Sequence, residues 1–394
     1  MQIKFLDNLE QLEAYAKAWD DLVQISPYGL PMQSHAWLSC YFRHCLREGE
    51  QWQCILLFDG EKLAGVVPLI SSRSPVWFGW GRSLRLPDDE LTTTSVDIVL
   101  APGREQEVLT SLTEYFQQLG DDWNEFKMWR VSENSSSIAA VPAFGGKSRC
   151  LREPRSVGSY LSTGGDFNTY RSSLKSKFRS NLRNASNRLA RLEGVEYQFL
   201  SHEKASPDYL DSFLETEAAS WKGSEGTAIN ADPGHSAFYR SLAQSLWRRG
   251  WLEWHFLKAE GCILAAHLAI RCGASLVIWK VGYNDAYSRY SPSTLLFERA
   301  IERAFQDPSC HEIDAITHIP WDDNWNVQLR HYYHVAWYPD SALAMLTGWF
   351  PWWLHYRLRE VPALRSVVRL SRQRISRIRK RFGPYKQPRL QGRG

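Results

Sequence analysis

The seven cysteines, at 40, 45, 54, 150, 262, 272 and 310, include no C-x-x-C pair, and their odd number and wide spacing give no disulfide framework and no zinc site. A reducing compartment is therefore expected. The first thirty residues carry acids and lysines with no apolar core, which excludes a secretory leader. The nearest candidate for a span, Ala342 to Leu354, falls short of the roughly 18–20 apolar residues that a bilayer requires. A cytoplasmic chain that crosses no membrane is the expectation. Acid is scarce at one end: from His355 to Gly394 there are 13 Lys and Arg against Glu360 alone, although the whole chain is nearly balanced at +4. A strongly basic tail thus follows a mildly acidic body. What is abundant is apolar residues, 44% of 394, enough to bury the cores of two or three compact units.

Residues 9–25 place Leu9, Leu12, Tyr15, Ala16, Trp19, Leu22 and Val23 on one face, the pattern of an amphipathic helix. Gln53–Phe58 and Leu63–Ile70 flank Asp59-Gly60, a hairpin signal. A strand at Ser95–Leu100, a helix near Glu105–Leu119 and a strand near Phe126–Val131 follow. A second unit opens with a helical stripe over Phe167–Leu192, continues with helices at Pro207–Trp221 and Ala237–Arg249, and then repeats the order of strands. Its strands are Trp251–Lys258, Cys262–Cys272, Ser275–Gly282 and Glu312–Ile316, with a helix from Ser291-Pro292 through Phe305 before the last. The turn at Glu260-Gly261 parallels that at Asp59-Gly60, in keeping with duplication. The expected organisation is an N-terminal half, 1–155, a C-terminal half, 156–345, and a basic amphipathic tail, 346–394.

Phe167-x-x-Tyr170-x-x-Ser173-Leu174-x-x-Lys177-Phe178-Arg179-Ser180-Asn181-Leu182-Arg183 resembles the basic helix of the CelD/BcsL-type acetyltransferases, named from cellulose biosynthesis. Glu217-Ala218-x-Ser220-Trp221-Lys222-Gly223, Gly226-Thr227-Ala228, the run from Lys280-x-Gly282-Tyr283 to Arg289-Tyr290-Ser291-Pro292, Asp314, and Gln33-Ser34-x-Ala36-Trp37-Leu38 are similar to that group as well. Ser293 stands where the family usually has glycine. The resemblance implies an α/β fold of tandem Gcn5-related N-acetyltransferase (GNAT)-like halves, each a mixed, mainly antiparallel sheet flanked by helices, plus a basic C-terminal helical tail. The double layout resembles the Fem-type peptidoglycan aminoacyltransferases. The function it implies is acyl transfer, from acetyl-CoA or another acyl-CoA and with no metal, to an amine or hydroxyl of a glycan or small molecule in bacterial exopolysaccharide or envelope chemistry.

Ser291 reads as an N-cap and Pro292 as a first helical residue, so the N–H groups of Ser293, Thr294 and Leu295 would face an anion, with Arg289 adding charge. An ordinary capped helix gives the same pattern; the resemblance favours the coenzyme A diphosphate. In that superfamily the thioester lies against an open strand edge while a base deprotonates the acceptor, which makes strands 262–282 the platform and His267 the candidate base. A hydrogen-bonded core histidine is the plainer alternative. Lys280 interrupts an apolar run and needs a carboxylate or an anionic ligand. Asp314, ending an apolar strand, forms with His318, Asp322 and Asp323 a cluster that would bind an acceptor amine or take its proton in catalysis, against the plainer reading of capping aspartates. Trp221, Lys222 and Tyr283 are candidates for binding a sugar, and Lys177 and Arg179 for a phosphorylated or acidic acceptor, against a packing tryptophan and a solvated helix face.

In the tail, Leu354, Leu358, Val361, Leu364, Val368, Ile375, Ile378 and Phe382 recur at helical intervals among arginines after Trp349, Trp352 and Trp353. That suits peripheral contact with the anionic inner face of a membrane, with nucleic acid as the alternative partner. Two other functions stay open: a Fem-type aminoacyl transferase using charged tRNA, and a non-catalytic membrane or nucleic-acid adaptor.

Overall fold

The computed structural model describes residues 1–354, apart from 27, 77, 78, 90, 140–148, 320 and 351. The basic tail from His355, with the helix and membrane contact expected of it, lies outside the described residues. A compact unit spans Met1–Pro339. The unit that follows has a short helix at Ala342–Ala344, a π-helical turn at Met345–Trp349, and Leu343, Leu346, Phe350 and Leu354 exposed.

The first half of the compact unit runs β1 (Gln2–Leu6), α1 (Leu9–Glu13), α2 (Ala16–Ile25), α3 (His35–His44), β2 (Glu50–Asp59), β3 (Lys62–Val76), β4 (Gly79–Arg85), β5 (Val99–Leu100), α4 (Glu105–Gln118), β6 (Glu125–Ser132), α5 (Ser136–Ala139) and β7 (Arg149–Ser162). The second runs α6 (Phe167–Ser173), α7 (Ser176–Leu189), β8 (Glu196–Ser201), α8 (Tyr209–Ala218), α9 (Trp221–Ser224), α10 (Pro233–Arg248), β9 (Leu252–Ala259), β10 (Cys262–Cys272), β11 (Ser275–Tyr283), α11 (Pro292–Gln306), β12 (Glu312–Asp314) and β13 (Gln328–Tyr338).

All strands join one 13-stranded mixed sheet in the order β1-β2-β3-β4-β6-β13-β7-β12-β11-β10-β9-β8, with β5 on β3. It is antiparallel except for β4 beside β6 and β11 beside β12. Those two parallel pairs occupy the same place in each half. The hairpins repeat too: β2–β3 carries an extra residue, Ala64, and β9–β10 carries Leu264, each the third residue of its second strand. A bulge at the same offset from the turn is the mark of duplication that the two turn sequences hint at.

The two halves exchange their last strands. β7, which closes the first half, pairs with β12 of the second, while β13, which closes the second, pairs with β6 of the first. The 155/156 boundary expected from sequence falls inside β7. Neither β1, β7 nor β13 is expected from the sequence pattern.

Two helices break where periodicity alone predicts continuity. Leu174 is extended and buried between α6 and α7, because Asp166 caps α6 through the Thr169 N–H and the chain then turns to place Leu174 in the core. Ser220 is extended between α8 and α9, and its hydroxyl caps the Lys222 N–H. Gly223 permits the turn, since a Cβ there would lie 1.9 Å from the Ala218 carbonyl oxygen. The turn leaves Trp221 47% exposed.

Candidate active site

β11 and β12 run together only where Ser275–Val277 faces Glu312–Asp314. Past that point Ile316 takes a left-handed φ of 60°, a strained conformation for a β-branched residue, and the chain leaves the sheet. The edge of β11 from Ile278 onward is therefore open. A cavity of about 490 Å³ fills the opening, lined by Ile278, Trp279, Val281 and Tyr283 on one side, Ala315 and Thr317 on the other, and Ser291, Ser293 and Thr294 at one end.

That end is the start of α11. Ser291 is left-handed, with φ 54°, its hydroxyl caps nothing, and no acid lies in the first turn. Among the described residues the N–H groups of Ser293 and Thr294 have no acceptor, whereas Leu295 N–H donates to the Ser291 carbonyl at 3.1 Å and its side chain is buried. Of the three residues whose amides the sequence offers to an anion, Ser293 and Thr294 border the cavity and Leu295 does not. Ser293 lies in the helix, and the left-handed position is Ser291, so the backbone asks for no glycine at 293. Arg289 donates to the Tyr290 hydroxyl at 2.7 Å, and Arg188 of α7 donates to the Arg289 carbonyl at 3.2 Å. Lys177 is exposed, and Arg179 donates to the Ser172 carbonyl; neither lines the cavity.

His267, on β10, reaches the same cavity from beneath β11. It has the burial of a core histidine without its hydrogen bonds: 0% exposed, with neither ring nitrogen partnered. Its ring lies 6.3 Å from that of Phe297. Burial, with His255 adding to it, pushes its pKa well below the ordinary value, so the resting imidazole is neutral, with one ring nitrogen unprotonated.

A second cavity of about 490 Å³ shares Trp279, Ala315 and Thr317 with the first and adds Asp88, Thr94, Trp129, Arg130, Arg155, Ser156, Lys280 and Ile316. Lys280 therefore opens onto this cavity rather than the first. Burial, with Lys222 adding to it, lowers its pKa to about 8. Its ammonium lies 4.7 Å from the Trp279 ring and, among the described residues, has no ion-pair partner. The cavity residues other than Lys280 were not singled out from the sequence, which offers no local signal for them.

The remaining candidates lie elsewhere. Asp314 is buried, 2.5 Å from Arg330, and accepts the Ile316 N–H at 2.6 Å; burial raises its pKa to about 6 despite the arginine. It lines neither cavity, while Asp322 borders the first and is bonded by the Ser159 hydroxyl and the Ile319 N–H. Lys222 pairs with buried Glu217 at 2.7 Å and donates to the Val281 carbonyl at 3.0 Å, so it braces β11 from outside. Trp221 faces solvent. Among the described residues no cluster of three or more metal-ligating side chains occurs, and no helix is long and apolar enough to cross a membrane.

Residues 176–322 match the family model of the acetyltransferase (GNAT) domain. The fold is similar to a crystal structure of FemX, at 11% identity and a TM-score of 0.60, covering 88% of this chain and 99% of that one. It is also similar to a conserved protein of unknown function from Bacteroides thetaiotaomicron, at 15% identity and a TM-score of 0.52, covering 85% and 99%. No curated protein matches the chain. Residues 176–322 of the second half are thus similar to the acetyltransferase (GNAT) domain, and they lie in a large, mostly antiparallel α/β sheet whose fold is similar to that of FemX.

Proposed function

We propose that the protein is an acyl-CoA-dependent acyltransferase of the cellulose-biosynthesis type, with acetyl-CoA as donor and an amine or hydroxyl of a sugar, exopolysaccharide or envelope precursor as acceptor. The observation that carries this reading is the groove that begins at the free amides of Ser293 and Thr294, passes His267 and follows the open edge of β11. The amides would hold the diphosphate, and the strand edge would polarise the thioester carbonyl. The acceptor nitrogen or oxygen attacks that carbon, its proton passes to His267, the C–S bond breaks and coenzyme A leaves as a thiolate. Calorimetry with acetyl-CoA tests the donor: saturable binding is expected, weakened more than tenfold by Ser293→Glu, and absence of binding by the native protein sinks the reading.

Charged tRNA is the second donor to consider, since the exposed Lys177 and the neighbouring Arg179 flank the groove helix and the fold is FemX-like. Transfer of a radiolabelled amino acid from aminoacyl-tRNA decides between the two. Exposed Leu343, Leu346, Phe350 and Leu354 directly precede the basic tail, which supports a cytoplasmic protein held peripherally on an anionic membrane. Cosedimentation with phosphatidylglycerol vesicles, but not with phosphatidylcholine vesicles, is the expected result.

A further inference from the structure

Three bulges meet in the wall of the second cavity. On β6, Trp129 and Arg130 together oppose His334, and Arg130 is left-handed with φ 55°. On β7, Arg155 is the extra residue between Pro154 and Ser156. On β11, Trp279 is the extra residue between Ile278 and Lys280. A bulge re-aims side chains that regular pleating would send to opposite faces, and three in distant strands converging on one space make a built site.

What they gather there is an excess of positive charge, three cations against one acid in the wall. Arg155 lies 5.5 Å over the Trp129 ring, Arg130 4.9 Å over the Tyr332 ring and Lys280 4.7 Å over the Trp279 ring. Among the described residues none of the three forms an ion pair, and Asp88 is the one acid in the wall. Arg130 spends one guanidinium nitrogen on the Ile316 carbonyl at 2.8 Å, and its buried Nε has no acceptor. Aromatic faces hold cations in place but leave their charge available, so the cavity is primed for an anion. The forked guanidinium groups match the paired oxygens of a phosphate or carboxylate.

We propose that this cavity is the acceptor site and that the acceptor bears an anionic group, a phosphate or a carboxylate, held by Arg130, Arg155 and Lys280. The assignment of the word acceptor rests on the donor groove described above; the recognition of an anion does not. The shared wall at Trp279 brings the anchored acceptor to the thioester, with the anionic group fixing which nucleophile is presented.

The test is equilibrium binding, by ligand-observed NMR, of glucosamine, glucosamine 6-phosphate and glucuronic acid to the full chain with and without acetyl-CoA. At least tenfold tighter binding of one or both anionic sugars is expected, and which of them binds distinguishes phosphate from carboxylate. Arg155→Ala, at an exposed side chain whose loss leaves the fold intact, should erase the preference, and Arg155→Lys should restore part of it. Acetyl-CoA affinity should stay within twofold in both variants. Equal binding of neutral and anionic sugars, or a preference untouched by Arg155→Ala, overturns the inference even if acetyl-CoA binds. Preference without acetyl-CoA binding leaves the anion site standing and removes only the donor reading.

Discussion

The indole of Trp37 meets that of Trp279 edge to face, with ring centroids 5.1 Å apart. Trp37 Nε1 donates to the Thr93 hydroxyl at 2.9 Å, and Trp279 Nε1 donates to the Tyr239 hydroxyl at 3.1 Å, which in turn donates to the Leu91 carbonyl at 2.7 Å. A tryptophan of the first half thereby sets the residue that walls both cavities of the second. Trp37→Phe keeps most of the packing and loses the Thr93 bond. A stability loss of about 1–2 kcal/mol is expected from denaturant melts, with a several-fold rise in acceptor KM and an unchanged acetyl-CoA Kd. A rise in acetyl-CoA Kd with constant acceptor KM would contradict this positioning role.

His267→Ala should lower kcat by roughly 10²–10⁴-fold, the usual contribution of a positioned base, while calorimetry shows acetyl-CoA binding intact. Because burial holds the imidazole pKa far below its ordinary value, His267 is neutral across the assay range and should produce no acidic limb between pH 6 and 7. Activity within threefold of native would remove His267 from the chemistry.

Lys280 has its pKa lowered to about 8, so its charge is present below that pH and is lost above it. The KM for an anionic acceptor should therefore stay flat from pH 6.5 to 7.5 and climb above pH 8. Lys280→Arg, charged throughout, should flatten the profile. A KM independent of pH in the native protein argues against Lys280 as an anion contact.

Asp314 is expected to act in stability rather than chemistry. Asp314→Ala strands Arg330 beside Glu312 alone, and removing one partner of a buried pair costs about 3 kcal/mol. The melting temperature should fall sharply while the folded fraction retains kcat. A loss of kcat by more than a hundredfold in a well-folded Asp314→Asn protein would return it to the catalytic set.

Gly158 is required by close approach. A Cβ there would sit 2.6 Å from the Ile316 carbonyl oxygen and 2.7 Å from Tyr332 Cε2, whereas at Gly164 it would meet nothing within 4 Å. Gly158→Ala should cost about 1–3 kcal/mol and, by shifting the carbonyl that holds Arg130, raise acceptor KM. Gly164→Ala should do neither.

The amino-acid order by itself determined the paired hairpins, the helix opening at Ser291-Pro292 and the strand carrying His267, because turn chemistry, capping and period-two patterning act over a few residues. The first cavity was legible to that extent: Ser291, Ser293, Thr294, Tyr283 and His267 do line it. Trp221 and Lys222 read as cleft residues because they follow an amphipathic helix, yet the extended Ser220 turns one to solvent and Glu217 claims the other. Only the tertiary structure decided the exchange of β7 and β13 and the bulges at Trp129-Arg130, Arg155 and Trp279. A bulge exists only relative to the strand it faces, and each of these depends on a partner strand distant in sequence or brought by a register that no local pattern specifies. The cations at 130, 155 and 280 therefore share one cavity by pairing alone.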